Sequence, residues 1–193
     1  RSEHHLDPGA VRGAEIVALD LRDLAILAKV VLEYAILLAF GLYPGNLHAS
    51  GNFHMVIPGE PYRSAQPSGH DIVRYSRDYG IRTIVNLRGQ NPGADWYEEE
   101  RTAAAALGIT QLNFRMSARQ ELSQAEAEAL VDLLRTAERP ILIHCRGGAD
   151  RSGLAAALYV AAIAEGGETA AELQISPLYG HLPIPLSPAY AMD

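Results

Sequence analysis

The sequence predicts an α/β domain with three layers, in which helices flank a largely parallel central sheet, together with an additional N-terminal helix. The first observation is that short β-rich runs alternate with helix-length segments after residue 51. The second is the buried-type strand pattern of residues 83–87. The third is an almost entirely apolar stretch at residues 24–43, which predicts a long helix ahead of the domain.

Capping residues and glycines mark the expected element boundaries. Ser68 followed by Asp71 marks a helix start, and Ser123 followed by Glu126 forms a capping box. Gly80 ends the first of these two helices. In chain order we expect a helix at 15–43, strands at 55–57 and 62–64, a helix at 68–79, a strand at 83–87, a helix capped by Asp95 and running to 107, a strand at 109–114, a helix at 123–137, a strand at 141–143, and helices at 154–164 and 168–174.

The same pattern divides the chain into an N-terminal region at residues 1–50 and a folded domain at residues 51–193. Residues 44–50 are rich in turn formers and are predicted to link the two. The apolar stretch at 24–43 has about the ~20 residues that span a bilayer. Two interpretations stay open: membrane contact through this stretch, which would tether the chain, or a packed helix in a cytoplasmic protein.

Composition excludes several classes of protein. Hydrophobic residues make up 48% and charged residues 20% of the chain, which is typical of a globular rather than a disordered protein. The net charge of -7 and the absence of a basic stripe argue against nucleic acid as a partner. A single cysteine excludes an intramolecular disulfide framework.

A glycine-rich loop containing that cysteine follows the last predicted strand, and the whole segment is His144-Cys145-Arg146-Gly147-Gly148-Ala149-Asp150-Arg151-Ser152-Gly153. Backbone N–H groups in such a loop converge on one point, and the following helix start adds a positive dipole end, so the segment predicts an anion site. Arg151 offers a planar fork for two phosphate oxygens. Cys145 lies in this positive field, so we expect a thiolate that acts as a nucleophile. We call residues 145–151 the signature loop.

This segment resembles the signature of the cysteine-based protein tyrosine and dual-specificity phosphatases: His-Cys, five residues, Arg, Ser or Thr, then Gly. Two further segments are similar to the bacterial dual-specificity-like branch, Tyr62-Arg63-Ser64-Ala65-Gln66-Pro67 and Val85-Asn86-Leu87-Arg88. The resemblance implies the three-layer phosphatase fold, with residues 51–193 as the catalytic domain. It also implies hydrolysis of phosphomonoesters without a metal or another cofactor.

The resemblance assigns roles to the residues of the signature. Cys145 would attack phosphorus and form a phosphocysteine intermediate, and Arg151 would hold the equatorial phosphate oxygens. Ser152 would donate a hydrogen bond to the sulfur, and His144 would orient the loop. The remaining signature residues would contact the substrate phosphate: Arg146, Gly147, Gly148, Ala149 and Gly153.

The general acid is not supplied in the usual way. The family generally carries an Asp on the loop before the helix that precedes the signature strand, but here residues 115–122 contain no Asp. Asp150, inside the signature loop, is our first choice because some lipid-directed relatives have an Asp at this place. Glu121 on the conventional loop and Asp95 on a neighbouring loop are the alternatives.

Polar residues outside the signature are also expected at the active edge of the sheet. Four arginines belong to this group: Arg88, Arg115, Arg119 and Arg146. They are either solvated cations or the lining of a second pocket that binds anions, to which Arg88 and Arg119 would contribute. Such a pocket would suit phosphoinositides or phospholipid head groups. Near the C-terminus, Gln174 and His181 are candidates either for positioning the hydrolytic water or for packing.

The sequence therefore leads to a cysteine-dependent phosphatase acting on phosphotyrosine in proteins, with phosphoserine and phosphothreonine as further substrates. The first alternative keeps the chemistry and replaces the substrate with a phosphoinositide or another phospholipid head group. A second alternative is a pseudophosphatase that binds a phosphorylated partner without turnover. A rhodanese-like sulfur carrier fits less well, because the Arg151-Ser152-Gly153 closure suits phosphate.

Overall fold

A computed structural model of the chain describes residues 20–182. Its helices are α1 (Leu21–Ala49), α2 (Gly69–Tyr79), α3 (Asp95–Ala106), α4 (Gln124–Thr136), α5 (Asp150–Ala162) and α6 (Glu168–Glu172), followed by a 3-10 turn at Pro177–Tyr179. Its strands are β1 (His54–Met55), β2 (Tyr62–Ser64), β3 (Thr83–Asn86), β4 (Thr110–Asn113) and β5 (Ile141–His144). The predicted helix start at Glu15 and the end of the C-terminal coil lie outside the described residues.

The five strands form one sheet in the order β1-β2-β5-β3-β4. Only β1 pairs antiparallel to its neighbour, and the other three pairings are parallel. Parallel neighbours need crossover connections, and helices supply them here. The predicted α/β class with a mostly parallel sheet is confirmed.

Alternate strand residues fill two cores, one on each face of the sheet. Val85 and Ile143 pack with Leu130 and Leu134 of α4 and with α5. On the opposite face, Ile84 and Leu142 pack in a second cluster with residues of α2 and α3. Successive strand side chains point to opposite faces, so β3 and β5 contribute to both cores. This arrangement is the three-layer architecture expected from the sequence.

By its contacts the chain divides into two units, Arg1–Gly41 and Leu42–Asp193. In the first unit, the part of α1 that the structure describes exposes large apolar side chains on all sides; Leu21, for example, is 86% exposed and Leu37 68%. By length and apolar composition α1 qualifies as a membrane-crossing helix, a test that signal sequences also pass. The boundary between residues 50 and 51 stays a prediction.

The predicted end of the helix at residue 43 is wrong, because α1 continues through Pro44 to Ala49. A proline inside a helix removes a backbone donor and normally costs about 3 kcal/mol. Contacts on either side hold the helix here: the Tyr43 hydroxyl donates to the carbonyl of Pro177 at 2.9 Å, and Asn52 N–H donates to the carbonyl of Leu47 at 2.8 Å. Tertiary packing therefore outweighs the local breaker signal.

Other element boundaries also differ from expectation. The first strand is His54–Met55 rather than 55–57, because its register is set by pairing with β2. The N-cap of α3 is Ala94, and Asp95 lies in the first turn instead of capping it. Helix α5 begins at Asp150 rather than at residue 154, so the end of the signature already belongs to the helix. The capping box at Ser123 is confirmed.

Candidate active site

Three loops meet at the carboxyl ends of the parallel strands, where ligands bind in open α/β sheets. Arg151 shows the convergence directly, because its Nη1 lies 3.5 Å from the carbonyl oxygen of Leu87 and 3.3 Å from that of Met116. Leu87 follows β3, Met116 follows β4, and Arg151 follows β5. The segments that follow β3 and β4 are therefore brought together at the signature loop.

Cys145 is buried at the base of the signature loop, with 3% of its surface exposed. Its Sγ accepts a hydrogen bond from Gly148 N–H at 3.2 Å. The Ser152 hydroxyl lies 3.5 Å from the same sulfur. A thiolate can accept from both donors, so the geometry suits an anionic sulfur.

His144 contacts the sheet rather than the anion site. Its Nε2 lies 3.1 Å from a carboxylate oxygen of Glu100, and its Nδ1 lies 3.4 Å from the carbonyl oxygen of Cys145. Both side chains of the pair are fully buried. This placement fits the expected role of His144 in orienting the loop.

Glu100, which the sequence analysis did not single out, organises this buried network. Besides the contact with His144, its carboxylate accepts from the side-chain amides of Gln66 and Gln111, each at 2.6 Å. Burial acts to raise the pKa of Glu100, but the hydrogen bonds from His144, Gln66 and Gln111 outweigh it and the pKa is lowered. Glu100 lies in a run of three glutamates, so only its burial distinguishes it.

A second group that the sequence analysis missed lies against the outer side of the signature loop. Arg63 is fully buried in β2, and its Nη2 donates to the carbonyls of Gly148 and Ala149. The side-chain amide of Asn52 donates to the carbonyl of Gly147. The resemblance to the bacterial branch included Arg63, but nothing in its spacing linked it to the signature loop.

The candidate general acids lie in different surroundings. Asp150 is partly exposed at the start of α5, and its Oδ1 lies 2.9 Å from Nδ1 of the buried His181. Glu121 and Asp95 are exposed on their loops. Gln174 is buried and its backbone carbonyl accepts from Arg63, and the role of its side chain stays a prediction.

The predicted arginines are only partly brought together. Arg88 stacks on Trp96, 3.4 Å from the ring centroid, and donates to the Gln66 side chain at 2.8 Å. Burial lowers the pKa of Arg88, and the positive charges of Arg151 and Arg146 lower it further. Contacts join the three cations: Arg151 donates to the carbonyl of Leu87, which precedes Arg88, and Gln66, the partner of Arg88, donates its backbone N–H to the carbonyl of Arg146.

The other two predicted arginines have described contacts elsewhere. Arg115 donates to the backbone carbonyl of Gln90 at 2.9 Å. Arg119 is exposed, and its backbone N–H donates to Ser117. Of the second pocket suggested by the sequence, the described contacts therefore support only the part around Arg88, Arg146 and Arg151.

A groove of about 720 Å³ adjoins the signature loop within the unit Leu42–Asp193. Arg146, Gly147 and Gln66 form one side of it, and Asp71 and Arg74 of α2 contribute the other charges. Asp71 and Arg74 form an ion pair at 2.8 Å, so Arg146 supplies the uncompensated charge among these residues. Within residues 20–182 no group of three His, Cys, Asp or Glu side chains is arranged to hold a metal ion.

Comparison with solved structures shows the same fold. TpbA from P. aeruginosa is 24% identical, with a TM-score of 0.59 over 75% of this chain and 84% of its own. The PP-IP phosphatase SIW14 from S. cerevisiae is 21% identical, with a TM-score of 0.57 over 73% of this chain and 81% of its own. PTPMT1 is 17% identical, with a TM-score of 0.55 over 72% of this chain and 90% of its own. A search of curated proteins gave no match.

Residues 51–179 match the family described as PTP-SAK: Swiss Army Knife protein, DSP-PTPase phosphatase domain. The matched segment contains all five strands and the whole signature loop. The expectation drawn from the signature is thereby confirmed at the level of the family. The chain belongs to the PTP-SAK family of DSP-PTPase phosphatase domains and is a cysteine-dependent phosphatase.

Proposed function

We propose that the chain hydrolyses phosphomonoesters through a phosphocysteine intermediate on Cys145, with phosphotyrosine in proteins as its main substrate. The thiolate attacks phosphorus in line, the S–P bond forms, and the P–O bond to the leaving group breaks. The leaving oxygen takes a proton from a general acid. Water then attacks phosphorus, gives a proton back to that residue, and releases inorganic phosphate and the thiolate.

The position of the sulfur carries this proposal. Cys145 Sγ lies at the start of a helix, within hydrogen-bonding distance of Gly148 N–H and Ser152. Donors in these positions can also stabilise the sulfur as the leaving group in the second step. Arg151, tethered to two backbone carbonyls, would hold the transferring phosphoryl group.

Asp150 is the proposed general acid, with Glu121 and Asp95 as alternatives. Asp150 adjoins Arg151 in the sequence, and its contact with His181 fixes one carboxylate oxygen and leaves the other available. Glu121 and Asp95 are exposed on their loops. In the second step Asp150 acts as the base for the incoming water.

Phosphotyrosine is supported by the structural likeness to TpbA, which has also been solved in complex with pTyr. A second candidate is a phosphoinositide or another phospholipid head group. The observation that favours it is the cluster of Arg88, Arg146 and Arg151, next to the groove lined by Arg146. A substrate with a second phosphate would contact this cluster, whereas a phosphotyrosine side chain needs only the signature loop.

A substrate panel tests the proposal. The full chain is assayed with phosphotyrosine peptides, phosphoserine and phosphothreonine peptides, and phosphoinositides in mixed micelles, with a chelator present. We expect the highest kcat/KM with phosphotyrosine peptides. A higher kcat/KM with phosphoinositides would show that these lipids, and not phosphotyrosine, are the main substrate. Phosphate binding without hydrolysis of any ester would support a pseudophosphatase.

We further propose that residues 51–193 form the catalytic domain and that residues 24–43 tether it to a membrane. The length and the exposed apolar surface of α1 support the tether. A helix that is apolar apart from the Lys29–Glu33 ion pair suits a bilayer better than water. We expect the full chain to sediment with vesicles and to resist extraction by high salt. A chain that stays in the supernatant would favour the cytoplasmic alternative.

A further inference from the structure

Three consecutive carbonyl groups of the signature loop are held from its outer side by two residues that precede β5 in the sequence by some 80 positions or more. The Asn52 side-chain amide donates to the carbonyl of Gly147 at 3.1 Å. Nη2 of Arg63 donates to the next two carbonyls, at 3.0 Å for Gly148 and 2.7 Å for Ala149.

The direction of these carbonyls decides where the amide protons point. In a trans peptide the C=O and the following N–H point in opposite directions. A carbonyl drawn toward Asn52 or Arg63 therefore turns the next N–H toward the inner side of the loop. The first of the three peptides shows this: the carbonyl of Gly147 accepts from the Asn52 side chain, and the N–H of Gly148 donates to Cys145 Sγ at 3.2 Å. By the same geometry, the bonds from Arg63 to the carbonyls of Gly148 and Ala149 should turn the amides of Ala149 and Asp150 in the same sense.

The sheet fixes Arg63 in this position. Arg63 pairs with Ile143 in the parallel register of β2 and β5, two residues before the nucleophile. The loop also packs tightly on the end of β2, because a Cβ at Gly148 would lie 2.5 Å from the backbone nitrogen of Ala65. With φ at +72°, Gly148 has the conformation that lets its carbonyl meet Arg63.

Arg63 is a buried cation whose described hydrogen bonds all go to carbonyls. Its Nη1 donates to the carbonyl of Gln174, and its guanidinium lies over the Tyr179 ring at 4.4 Å. Burial lowers its pKa to about 10, while the nearby Cys145, Tyr179 and Asp150 act to raise it. Arg63 is therefore charged at neutral pH. A buried cation without a hydrogen-bonded carboxylate is expensive unless other negative charge is close.

We infer that Arg63 and Asn52 are positioning residues that hold the signature loop with its amide protons directed at the phosphate and the sulfur. This inference rests on the proposed function, because the negative charge that Arg63 faces is the thiolate with its bound phosphate. Neither residue touches the substrate. Each acts through the peptide groups of the loop, Arg63 by orientation and charge together and Asn52 by orientation alone.

Binding of inorganic phosphate tests the inference without turnover. Calorimetry measures phosphate affinity in the full chain carrying Cys145→Ser, alone and combined with Arg63→Met, Arg63→Lys or Asn52→Asp. Asn52→Asp has the same shape and keeps the acceptor that contacts His54 at 2.8 Å, but it has no donor for the carbonyl of Gly147. The control is Arg139→Met. Like Arg63, Arg139 lies over a tyrosine ring, that of Tyr159, to whose hydroxyl it also donates, but it lies in the turn between α4 and β5.

We expect phosphate to bind about tenfold or more weakly with Arg63→Met and with Asn52→Asp. A loss of this size corresponds to one backbone amide of the loop that no longer donates to the charged phosphate. Arg63→Lys should fall between the parent and Arg63→Met, because it keeps the charge and loses the fork. Arg139→Met should stay within about twofold of the parent. Thermal unfolding followed by circular dichroism shows which variants are folded.

The inference is overturned if folded Arg63→Met and Asn52→Asp bind phosphate within about twofold of the Arg139→Met control. If Arg63→Met does not fold, Arg63→Lys and Asn52→Asp decide in the same way. A Cys145→Ser parent that binds no phosphate would also overturn it. Failure of the proposed reaction is a separate result, seen as absence of ester hydrolysis by the native chain while phosphate still binds.

Discussion

The inner and the outer side of the signature loop are built in different ways. The inner side consists of Cys145, Arg151 and Ser152, which lie within eight consecutive residues. The outer side is held by Asn52 and Arg63, which come from distant parts of the chain. Groups proposed to react are therefore contiguous in sequence, and groups that support them are contiguous only in space. Variants on the two sides should fail differently.

The largest effect among the inner residues is expected for Arg151→Lys. Lysine keeps the charge but cannot grip two phosphate oxygens in one plane, and it loses the bonds to Leu87 and Met116 that join the three loops. We expect kcat/KM for an aryl phosphate to fall about 10³-fold, the range seen for transition-state arginines in phosphoryl transfer. Unfolding by urea should change little by comparison.

Arg101→Lys is the matched control for this substitution, because Arg101 is exposed on α3 and pairs with Glu98. Its kcat/KM should equal that of the parent. Loss of activity in Arg151→Lys that is no greater than in Arg101→Lys would show that the signature arginine is not the phosphate clamp.

An intermediate effect is expected for Asp150→Asn. The amide oxygen of the new side chain can still contact His181, so the fold around the loop is kept while the proton donor is lost. We expect kcat for phenyl phosphate to fall about 10²-fold, the lower range for general acid catalysis. The loss should be much smaller for p-nitrophenyl phosphate, whose leaving group needs no proton.

Glu121→Gln is the comparison that decides between the candidate acids, and Asp95→Asn completes the set. If Glu121→Gln shows the leaving-group dependence and Asp150→Asn does not, the conventional loop supplies the acid despite its lack of an Asp. Asp150 would then be a partner that fixes His181 and the C-terminal segment.

The smallest effect on chemistry and a clear effect on stability are expected for Glu100→Gln. The folded-state pKa of Glu100 is lowered, so its carboxylate stabilises the fold above its unfolded pKa of about 4.3, and that contribution is lost as pH falls through the folded value. At pH 7 the substitution should lower the free energy of unfolding by about 2 kcal/mol. The difference should shrink at pH 4 and below.

Urea denaturation at pH 7 and pH 4 measures both values. Glu99→Gln, a substitution at the exposed neighbouring position, should give a smaller change at either pH. A loss of stability from Glu100→Gln that is equal at the two pH values would mean that the ionised carboxylate is not what stabilises the network around His144.

These differences explain how far the sequence could predict the molecule. Signals that act within one turn or one loop were sufficient: the capping box at Ser123, the buried pattern of residues 83–87, and the signature with Cys145 and Arg151. The strand order was not predicted, but the alternation of strands and helices was enough for the fold class.

The remainder depends on contacts between distant residues. Pro44 predicts a break, yet α1 continues past it, next to the contact between Tyr43 and the distant Pro177. Arg63 and Glu100 look like ordinary charged residues in a strand and a helix, and only burial reveals what they hold. A local pattern cannot show which side chains a fold will bring together from opposite ends of the chain.

The proposed covalent mechanism is tested most directly by acid quenching the full chain during turnover of an aryl phosphate and measuring its mass. We expect a fraction of the native chain to gain the mass of one phosphoryl group, carried on the peptide that contains Cys145. Cys145→Ser should show neither the added mass nor turnover. Turnover that persists in Cys145→Ser, or steady turnover by the native chain in which only a different residue carries the phosphoryl group, would contradict the mechanism.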